Sequence, residues 1–347
     1  MKKFRFGLLP RVIVAIALGV ALGGVLPEWM VRVFLTFNGV FSQFLGFAIP
    51  LIIVGMVIPA IADIGRGAGR MLAITVVLAY GSTIVAGLAS YFTGALTFPS
   101  LIESQTQLDT ATEAVKITPF FTMDIPPVMS VMTALVLAFV VGLGLAYTQG
   151  DTLRRAASEF EKIVTMTIEA VIIPLLPLYI FGIFLDMTAA GEVFRVLMVF
   201  VKIIGVIFLL HIVWLVFLYV VSGVVSKRNP VKMLSTMLPA YFTALGTQSS
   251  AATITLAQAR KMGVSEQVSG FVIPLCATIH MSGSMLKIVA CAMALMMMQG
   301  MTFNFTLFLG FICLLGITMV AAAGVPGGAI MAALGVLASG LGFSPED

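Results

Sequence analysis

The first 226 residues of the chain alternate between long apolar runs and short polar turns. A helix needs about 20 apolar residues to cross a bilayer, and each of these runs reaches or approaches that length. The longest polar segment, residues 97–127, carries four acidic residues and fits an external loop. The pattern predicts six transmembrane helices, over residues 8–26, 31–61, 71–96, 128–147, 163–187 and 193–225.

Glycine and proline indicate where two of these helices pack or bend. Gly19 and Gly23 lie about one turn apart in the first helix, a spacing typical of close contact between membrane helices. Pro174 and Pro177 lie in the fifth helix, where each lacks the N–H donor that a regular helix uses. We therefore expect a close helix contact at the two glycines and a kink at the two prolines.

Three polar stretches interrupt the apolar runs in the rest of the chain. Residues 247–253 read TQSSAAT, residues 278–284 read TIHMSGS and residues 321–329 read AAAGVPGGA. The arms on either side are too short to cross a bilayer alone, and unwound backbone survives there only where protein or water satisfies its polar groups. We predict a helix broken at 278–284 that lines an internal site, with a re-entrant helical hairpin on each side of it.

Composition excludes a water-soluble domain, because 60% of the 347 residues are hydrophobic and only 10% are charged. Most of the 19 Lys and Arg residues fall in turns on the same side as the N-terminus, which the positive-inside rule places in the cytoplasm. The net charge of +4 therefore orients the chain in a lipid bilayer, and no nucleic-acid partner is expected. The three cysteines, Cys276, Cys291 and Cys313, show neither disulfide nor zinc spacing.

Three motifs carry a resemblance to a known family. They are SSAAT at residues 249–253, PLCATIHMSGS at residues 274–284 and GVPGG at residues 324–328. In their order and spacing the chain resembles the dicarboxylate/amino acid:cation symporters, the glutamate-transporter homologues. The resemblance implies an all-α polytopic membrane fold of transmembrane helices, two re-entrant hairpins and a broken helix. It also implies a homotrimer and an eighth helix after the second hairpin, which the sequence to Asp347 does not include.

The resemblance further divides the chain into a static scaffold and a moving transport unit. The scaffold would comprise residues 1–70 and 126–192. Residues 71–96 and 193–347 would form the transport unit, and residues 97–125 an external loop.

The function implied is secondary active symport in the inner (plasma) membrane, with a cytoplasmic N-terminus. Entry of a cation, Na+ or alternatively H+, would drive uptake of a small dicarboxylate or amino acid by alternating access. No enzymatic activity is expected, and no cofactor besides the coupling ion. The same fold could also host a channel or a non-transporting protein. An intramembrane protease is disfavoured, because the HExxH, GxSG and GxGD motifs do not occur in the sequence.

The site residues follow from the match to the family motifs. The hairpin tips and the start of the resumed helix would bind substrate, through Gln248, Ser249, Ser250, Ser284, Val325, Pro326 and Gly327. Hydroxyl groups and free backbone carbonyls would bind Na+, which prefers oxygen ligands, at Ser82, Thr83, Cys276, Thr278, His280, Met281 and Ser282. The alternative for the tip serines is that they cap the following helix.

Four positions depart from the family pattern. His280 stands in place of an asparagine, Ser282 in place of an aspartate and Cys276 in place of a glycine, while Gln248 stands where some members have arginine. Since the aspartate is missing, we expect one sodium position to be lost and the Lys287 ammonium to take its electrostatic role. Alternatively, Lys287 extends to the headgroups or forms an ion pair, and His280 is purely structural. His211 and Lys202 match no motif, and a structural role is expected for both.

Overall fold

The computed structural model describes residues 8–64, 70–106, 117–148, 151–191, 193–247, 256–319 and 328–343. Apart from residues 117–130 and short turns between helices, these ranges are helical, and they contain no β-strand. Long apolar runs form helices because a helix satisfies all of its backbone polar groups internally. The helices are α1 (Leu8–Leu22), α2 (Glu28–Ile64), α3 (Arg70–Thr106), α4 (Val131–Tyr147), α5 (Asp151–Thr167), α6 (Ile173–Ala189), α7 (Val193–Ser226), α8 (Pro230–Thr247), α9 (Leu256–Lys261), α10 (Glu266–Ile279), α11 (Ser282–Met298), α12 (Phe305–Met319) and α13 (Gly328–Leu341).

Five helical stretches of the described chain are long and apolar enough to cross a membrane, which confirms the multi-pass α-helical class. Three of them are single helices, one joins α5 to α6, and one contains the broken helix of α10 and α11. Three shorter helices, α1, α4 and α12, are also apolar. The stretches are Glu28–Ala62, Arg70–Ile102, Asp151–Ala189, Val196–Ser226 and Glu266–Met298.

Helix α3 continues past residue 96, where the sequence predicted an external loop, and ends at Thr106. The hydroxyls of Thr97 and Ser100 donate to backbone carbonyls of their own helix. Phe98 is fully buried and fixes this part of α3 to the core. The loop was predicted from the acidic residues of this polar segment, whereas the chain remains helical to Thr106 and its hydroxyls bond within the helix.

Residues 151–162 also differ from the prediction, which made them a polar cytoplasmic turn. They form most of α5, an amphipathic helix. Its Val164 is buried, and Arg154 donates from Nη2 to the carbonyl of Ala62 at 2.9 Å. The low average hydrophobicity of this segment led to the prediction of a turn, although the segment is a helix that packs one face against α2.

The irregularity expected at Pro174 is a π-helical turn over Ile168–Ile172, directly before α6. The N–H of Ile173 bonds to the carbonyl of Ile168, five residues earlier. Pro174 has no N–H of its own, so the regular series of i to i+4 hydrogen bonds is interrupted at this residue. A single π turn of this kind is a recognised way for a helix to bend.

The close contact predicted at Gly19 and Gly23 is confirmed and joins α1 to α6. A Cβ atom on Gly19 would lie 2.8 Å from Phe184 Cβ and 2.9 Å from the Phe181 carbonyl oxygen. A Cβ atom on Gly23 would lie 2.7 Å from the Leu185 carbonyl oxygen. Only glycine lets the two helix backbones approach this closely.

The helices fall into two groups, which meet where α13 contacts α2 and α4 and where α6 contacts α7. In one group α2 lies along α4, α5 and α6, and α1 lies along α6. In the other group α3 packs against α7, α10, α11 and α12, while α13 packs against α12 and also reaches α2. The largest buried cluster contains most of the inward side chains of α11, which places this helix at the centre of its group. The division into a static and a moving unit remains a prediction.

Candidate functional site

The predicted broken helix is present, and its interruption is short. Helix α10 ends at Ile279, and α11 begins at Ser282. His280 (φ −101°, ψ 90°) and Met281 (φ −115°, ψ 42°) lie between them with non-helical torsions. The interruption is narrower than residues 278–284, because Thr278 and Ile279 complete the last turn of α10.

The interruption frees backbone polar groups. The His280 N–H donates to the Cys276 carbonyl at 3.0 Å, and the Met285 N–H donates to the Met281 carbonyl at 3.0 Å. Between these two bonds, the carbonyls of residues 277–280 and the N–H groups of residues 281–284 make no i to i+4 bond. Free carbonyls at a helix C-terminus attract cations, and free N–H groups at a helix N-terminus attract anions. The interruption can therefore bind ions of both signs.

These backbone groups lie inside the protein. Ile279, Met281 and Ser282 are buried, and the neighbouring Ala277 and His280 are half-buried. Unwound backbone in a membrane protein persists where it is buried in protein or lines a cavity, and this interruption meets that condition.

The structure brings together two of the predicted cation-binding side chains. His280 Nε2 lies 3.0 Å from the Ser82 hydroxyl on α3, a hydrogen-bond distance. A hydroxyl can donate or accept, so either ring tautomer satisfies this contact. The adjacent Thr83 is buried and donates its hydroxyl to the Ala79 carbonyl at 2.8 Å, which leaves its oxygen lone pairs available. The Ser82 hydroxyl of α3 therefore contacts the broken helix at His280.

The other predicted cation-binding residues belong to the interruption or to its two flanks. The Cys276 carbonyl already accepts the His280 N–H, so only its second lone pair is open to a cation. Ser282 begins α11 and Met281 lies between the helices, while Thr278 is described by its backbone alone.

Lys287 is exposed, in contrast to the neighbouring part of α11. Ten of the seventeen residues of α11 are buried, whereas Ser284, Lys287 and Cys291 share a less buried face at spacings of three and four residues. Within the described ranges, Lys287 forms no ion pair. The seven-residue spacing from His280 does not fix the relative direction of the two side chains, because two non-helical residues intervene.

The predicted hairpin tips, which include Gln248, Ser249, Ser250, Val325, Pro326 and Gly327, fall outside the described residues. The helices on either side of each tip do pack together, α8 with α9 and α12 with α13. This arrangement is the one that two helical hairpins require.

Two side chains that sequence analysis did not place in a site contact α11 just beyond the interruption. His211 on α7 reaches the Gly283 carbonyl, and Ser90 on α3 reaches the Leu286 carbonyl. In the sequence, His211 and Ser90 are recognisable only as polar residues inside apolar runs. Such a signal marks a candidate polar contact between membrane helices without naming its partner.

An interrupted membrane helix with buried polar groups, inside a multi-pass helical fold, is a feature of membrane transport proteins. Residues 8–347 match the sodium:dicarboxylate symporter family, and the chain belongs to that family. It is thus a member of a transporter family rather than an enzyme, and the resemblance inferred from the three motifs is confirmed.

A shorter stretch of the chain is similar to a rat protein, the neutral amino acid transporter B(0) of Rattus norvegicus. The two are 30% identical over 109 residues, which cover 30% of this chain and 20% of the rat transporter. The similarity thus spans about a fifth of the relative's length.

Proposed function

We propose that the chain is a secondary active symporter that couples entry of a cation to uptake of a small dicarboxylate or amino acid by alternating access. Membership of the symporter family supports this class of function. The observation that carries the proposal is the buried interruption between α10 and α11. Four successive carbonyls there accept no helical hydrogen bond, and they lie beside the contact between His280 and Ser82.

The cation binds, in this proposal, at the C-terminal end of α10. Its ligands are the free carbonyls of the interruption and the hydroxyls of Ser82 and Thr83, all of which are the oxygen donors that a hard cation prefers. Na+ is the first candidate. H+ is the second, because His280 occupies the site and a histidine ring can carry a proton.

The substrate binds on the other side of the interruption, where α11 begins. Ser284 and the free N–H groups of this turn are suited to a carboxylate, which both dicarboxylates and amino acids carry. The two hairpin tips complete the substrate site, with Ser249 and Ser250 from the first and residues 325–327 from the second. The name of the rat relative includes neutral amino acids, and we include these in the proposed substrate class.

Lys287 compensates for the absence of a carboxylate at Ser282, so that fewer sodium ions accompany each substrate. Lys287 forms no ion pair in the described chain, so its charge is available for this role. The double variant Ser282→Asp/Lys287→Met is expected to raise the transport ratio by about one Na+ per substrate, because a negative charge replaces a positive one. A ratio that stays at the wild-type value would contradict this assignment.

We also propose that the protein is a homotrimer in the plasma membrane with a cytoplasmic N-terminus. The distribution of Lys and Arg supports the orientation. Arg32 near the start of α2 donates to the Thr118 carbonyl at 3.0 Å, which puts the N-terminal end of α2 on the same side as the predicted external segment. Crosslinking in native membranes should then give species up to a trimer, and a cysteine at Thr118 should be labelled from outside the cell.

Uptake by the full chain in proteoliposomes tests the proposed function. Radiolabelled succinate, aspartate and alanine are each offered under an inward Na+ gradient, an inward H+ gradient, or neither. We expect one gradient to drive accumulation of at least one substrate above its external concentration, and an ionophore for that ion to abolish it. Equilibration without accumulation would indicate a channel. The absence of uptake under every gradient would indicate a non-transporting protein.

A further inference from the structure

The first turns of α11 are held by hydrogen bonds from two neighbouring helices. On one side, His211 of α7 places Nε2 2.9 Å from the Gly283 carbonyl oxygen. On the other side, Ser90 of α3 donates its hydroxyl to the Leu286 carbonyl at 2.6 Å. Gly283 and Leu286 lie one turn apart, directly after the interruption at residues 280–281. Two side chains therefore fix the same short part of the backbone.

The chemistry of His211 makes it suited to hold a fixed position. Its Nδ1 lies 2.7 Å from the Ile207 carbonyl oxygen of its own helix, so both ring nitrogens face oxygens that can only accept. Each neutral tautomer donates to one of these carbonyls, and the doubly protonated ring donates to both. The ring therefore lies between α7 and α11, and the tautomer that carries its proton on Nε2 donates to the Gly283 carbonyl.

The surrounding side chains reinforce the contact. Ser90 is fully buried, so its hydroxyl needs a partner inside the protein. One turn beyond His211, Trp214 packs in a buried cluster with Ala86 of α3 and Leu286 of α11. The helices α3, α7 and α11 thus meet at a buried apolar cluster, which has a side-chain hydrogen bond to α11 on either side. Hydrogen bonds between membrane helices stabilise such contacts.

We infer that His211 and Ser90 are positioning residues for the cation site. By holding α11 at Gly283 and Leu286, they fix where the helix resumes, and hence where the free carbonyls of residues 277–280 lie relative to Ser82. They touch neither the cation nor the substrate. The inference rests on the proposed function for its effect on transport, whereas the restraint on α11 can be measured independently of transport.

The test compares His211→Leu, His211→Gln and Ser90→Ala with a matched control, Thr93→Val. The control also removes a hydroxyl from α3, but that hydroxyl bonds only to the Ala89 carbonyl of its own helix. Gln at position 211 keeps N–H donors near the Gly283 carbonyl, and Leu removes them. Two quantities are measured: hydrogen–deuterium exchange of the peptide covering residues 277–285, and the half-saturating cation concentration for uptake.

We expect His211→Leu and Ser90→Ala to speed exchange in that peptide and to raise the half-saturating cation concentration about fivefold, the effect of one lost hydrogen bond. The maximal rate at saturating cation should stay within about twofold of wild type. His211→Gln should restore much of the wild-type behaviour, and Thr93→Val should match wild type. Wild-type exchange and wild-type cation dependence in both His211→Leu and Ser90→Ala would overturn the inference.

The two readouts separate failure of this inference from failure of the proposed function. If the wild-type protein shows no cation-driven uptake, the proposed function fails, and the exchange measurement still decides whether His211 and Ser90 restrain α11. If His211→Leu does not fold, Ser90→Ala decides the result, because it is a small change. Unchanged exchange in Ser90→Ala would then overturn the inference.

Discussion

Removal of the hydrogen bond between His280 and Ser82 is expected to weaken cation activation of transport. The contact joins Nε2 to Oγ at 3.0 Å and links α3 to the interruption between α10 and α11. Ser82→Ala removes the hydroxyl alone, and His280→Phe keeps a ring but removes its nitrogens. Together with the double variant, these changes form a cycle that isolates the contribution of the contact.

The size of the effect follows from the nature of the bond. A neutral hydrogen bond contributes about 0.5–1.5 kcal/mol net, and about 1 kcal/mol corresponds to a roughly fivefold change in an equilibrium constant at 25 °C. Each single variant should therefore raise the half-saturating cation concentration about fivefold or more. The double variant should fall short of the product of the two effects by about fivefold, because the shared bond is lost only once.

The assay is uptake in proteoliposomes as a function of cation concentration, with Na+ and H+ varied separately. Thr93→Val serves as the control, because within the described residues the Thr93 hydroxyl on the same helix bonds to the carbonyl of Ala89, at 2.8 Å. If the effects of Ser82→Ala and His280→Phe multiply without any shortfall, the two residues act independently, and the reasoning from their contact is wrong.

Three further predictions concern packing and exposure. Gly23→Ala should lower the thermal stability of the detergent-solubilised protein by the equivalent of about 1–3 kcal/mol, because α1 must move away from α6. Gly24→Ala is the control and should change the stability little, since nothing lies within 4 Å of the added Cβ atom. Phe308→Ala should remove about 3–5 kcal/mol of stability, because Phe308 is fully buried, and an unchanged melting temperature would contradict its place in the core. In a background without native cysteines, Lys287→Cys should react with a water-soluble thiol reagent, whereas the buried Met293→Cys should not. Equal reactivity of the two cysteines would contradict the exposure of Lys287 and the burial of Met293.

The existence of the broken helix could be predicted because the membrane sets a length that each apolar run either meets or does not. A polar stretch between two short arms then has to lie inside the protein. The exact position of the interruption could not be predicted. Thr278 is polar yet remains helical, and Met281 is apolar yet is not, because the outcome depends on contacts with other helices.

Two segments were wrongly predicted as loops because they are polar, although both form helices. The end of α3 contains Thr97 and Ser100, whose hydroxyls satisfy carbonyls of their own helix. The start of α5 is rich in charge but has one apolar face that lies on α2. In both segments the backbone is helical although the average hydrophobicity is typical of a loop.

The contacts between helices divide into two kinds. The resemblance to the symporter family placed both Ser82 and His280 among the cation-binding residues, but it did not predict that their side chains are in contact. The bonds from His211 and Ser90 to α11 were not expected, because helical periodicity shows which face is apolar but not which carbonyl a side chain reaches. Only the three-dimensional arrangement of α3, α7 and α11 identifies those partners.

The central claim, that the free carbonyls of the interruption bind the coupling cation, can be tested by solid-state NMR of the full chain in lipid. Carbonyl-labelled Ala277 and Ile279 report on the interruption, and carbonyl-labelled Ala290 and Ala292 in the regular part of α11 serve as internal references. Addition of Na+, the cation that carbonyl oxygens can coordinate, should shift the first pair and leave the second pair unchanged. If Na+ leaves Ala277 and Ile279 unshifted at saturating concentration, the cation binds elsewhere and the account is wrong.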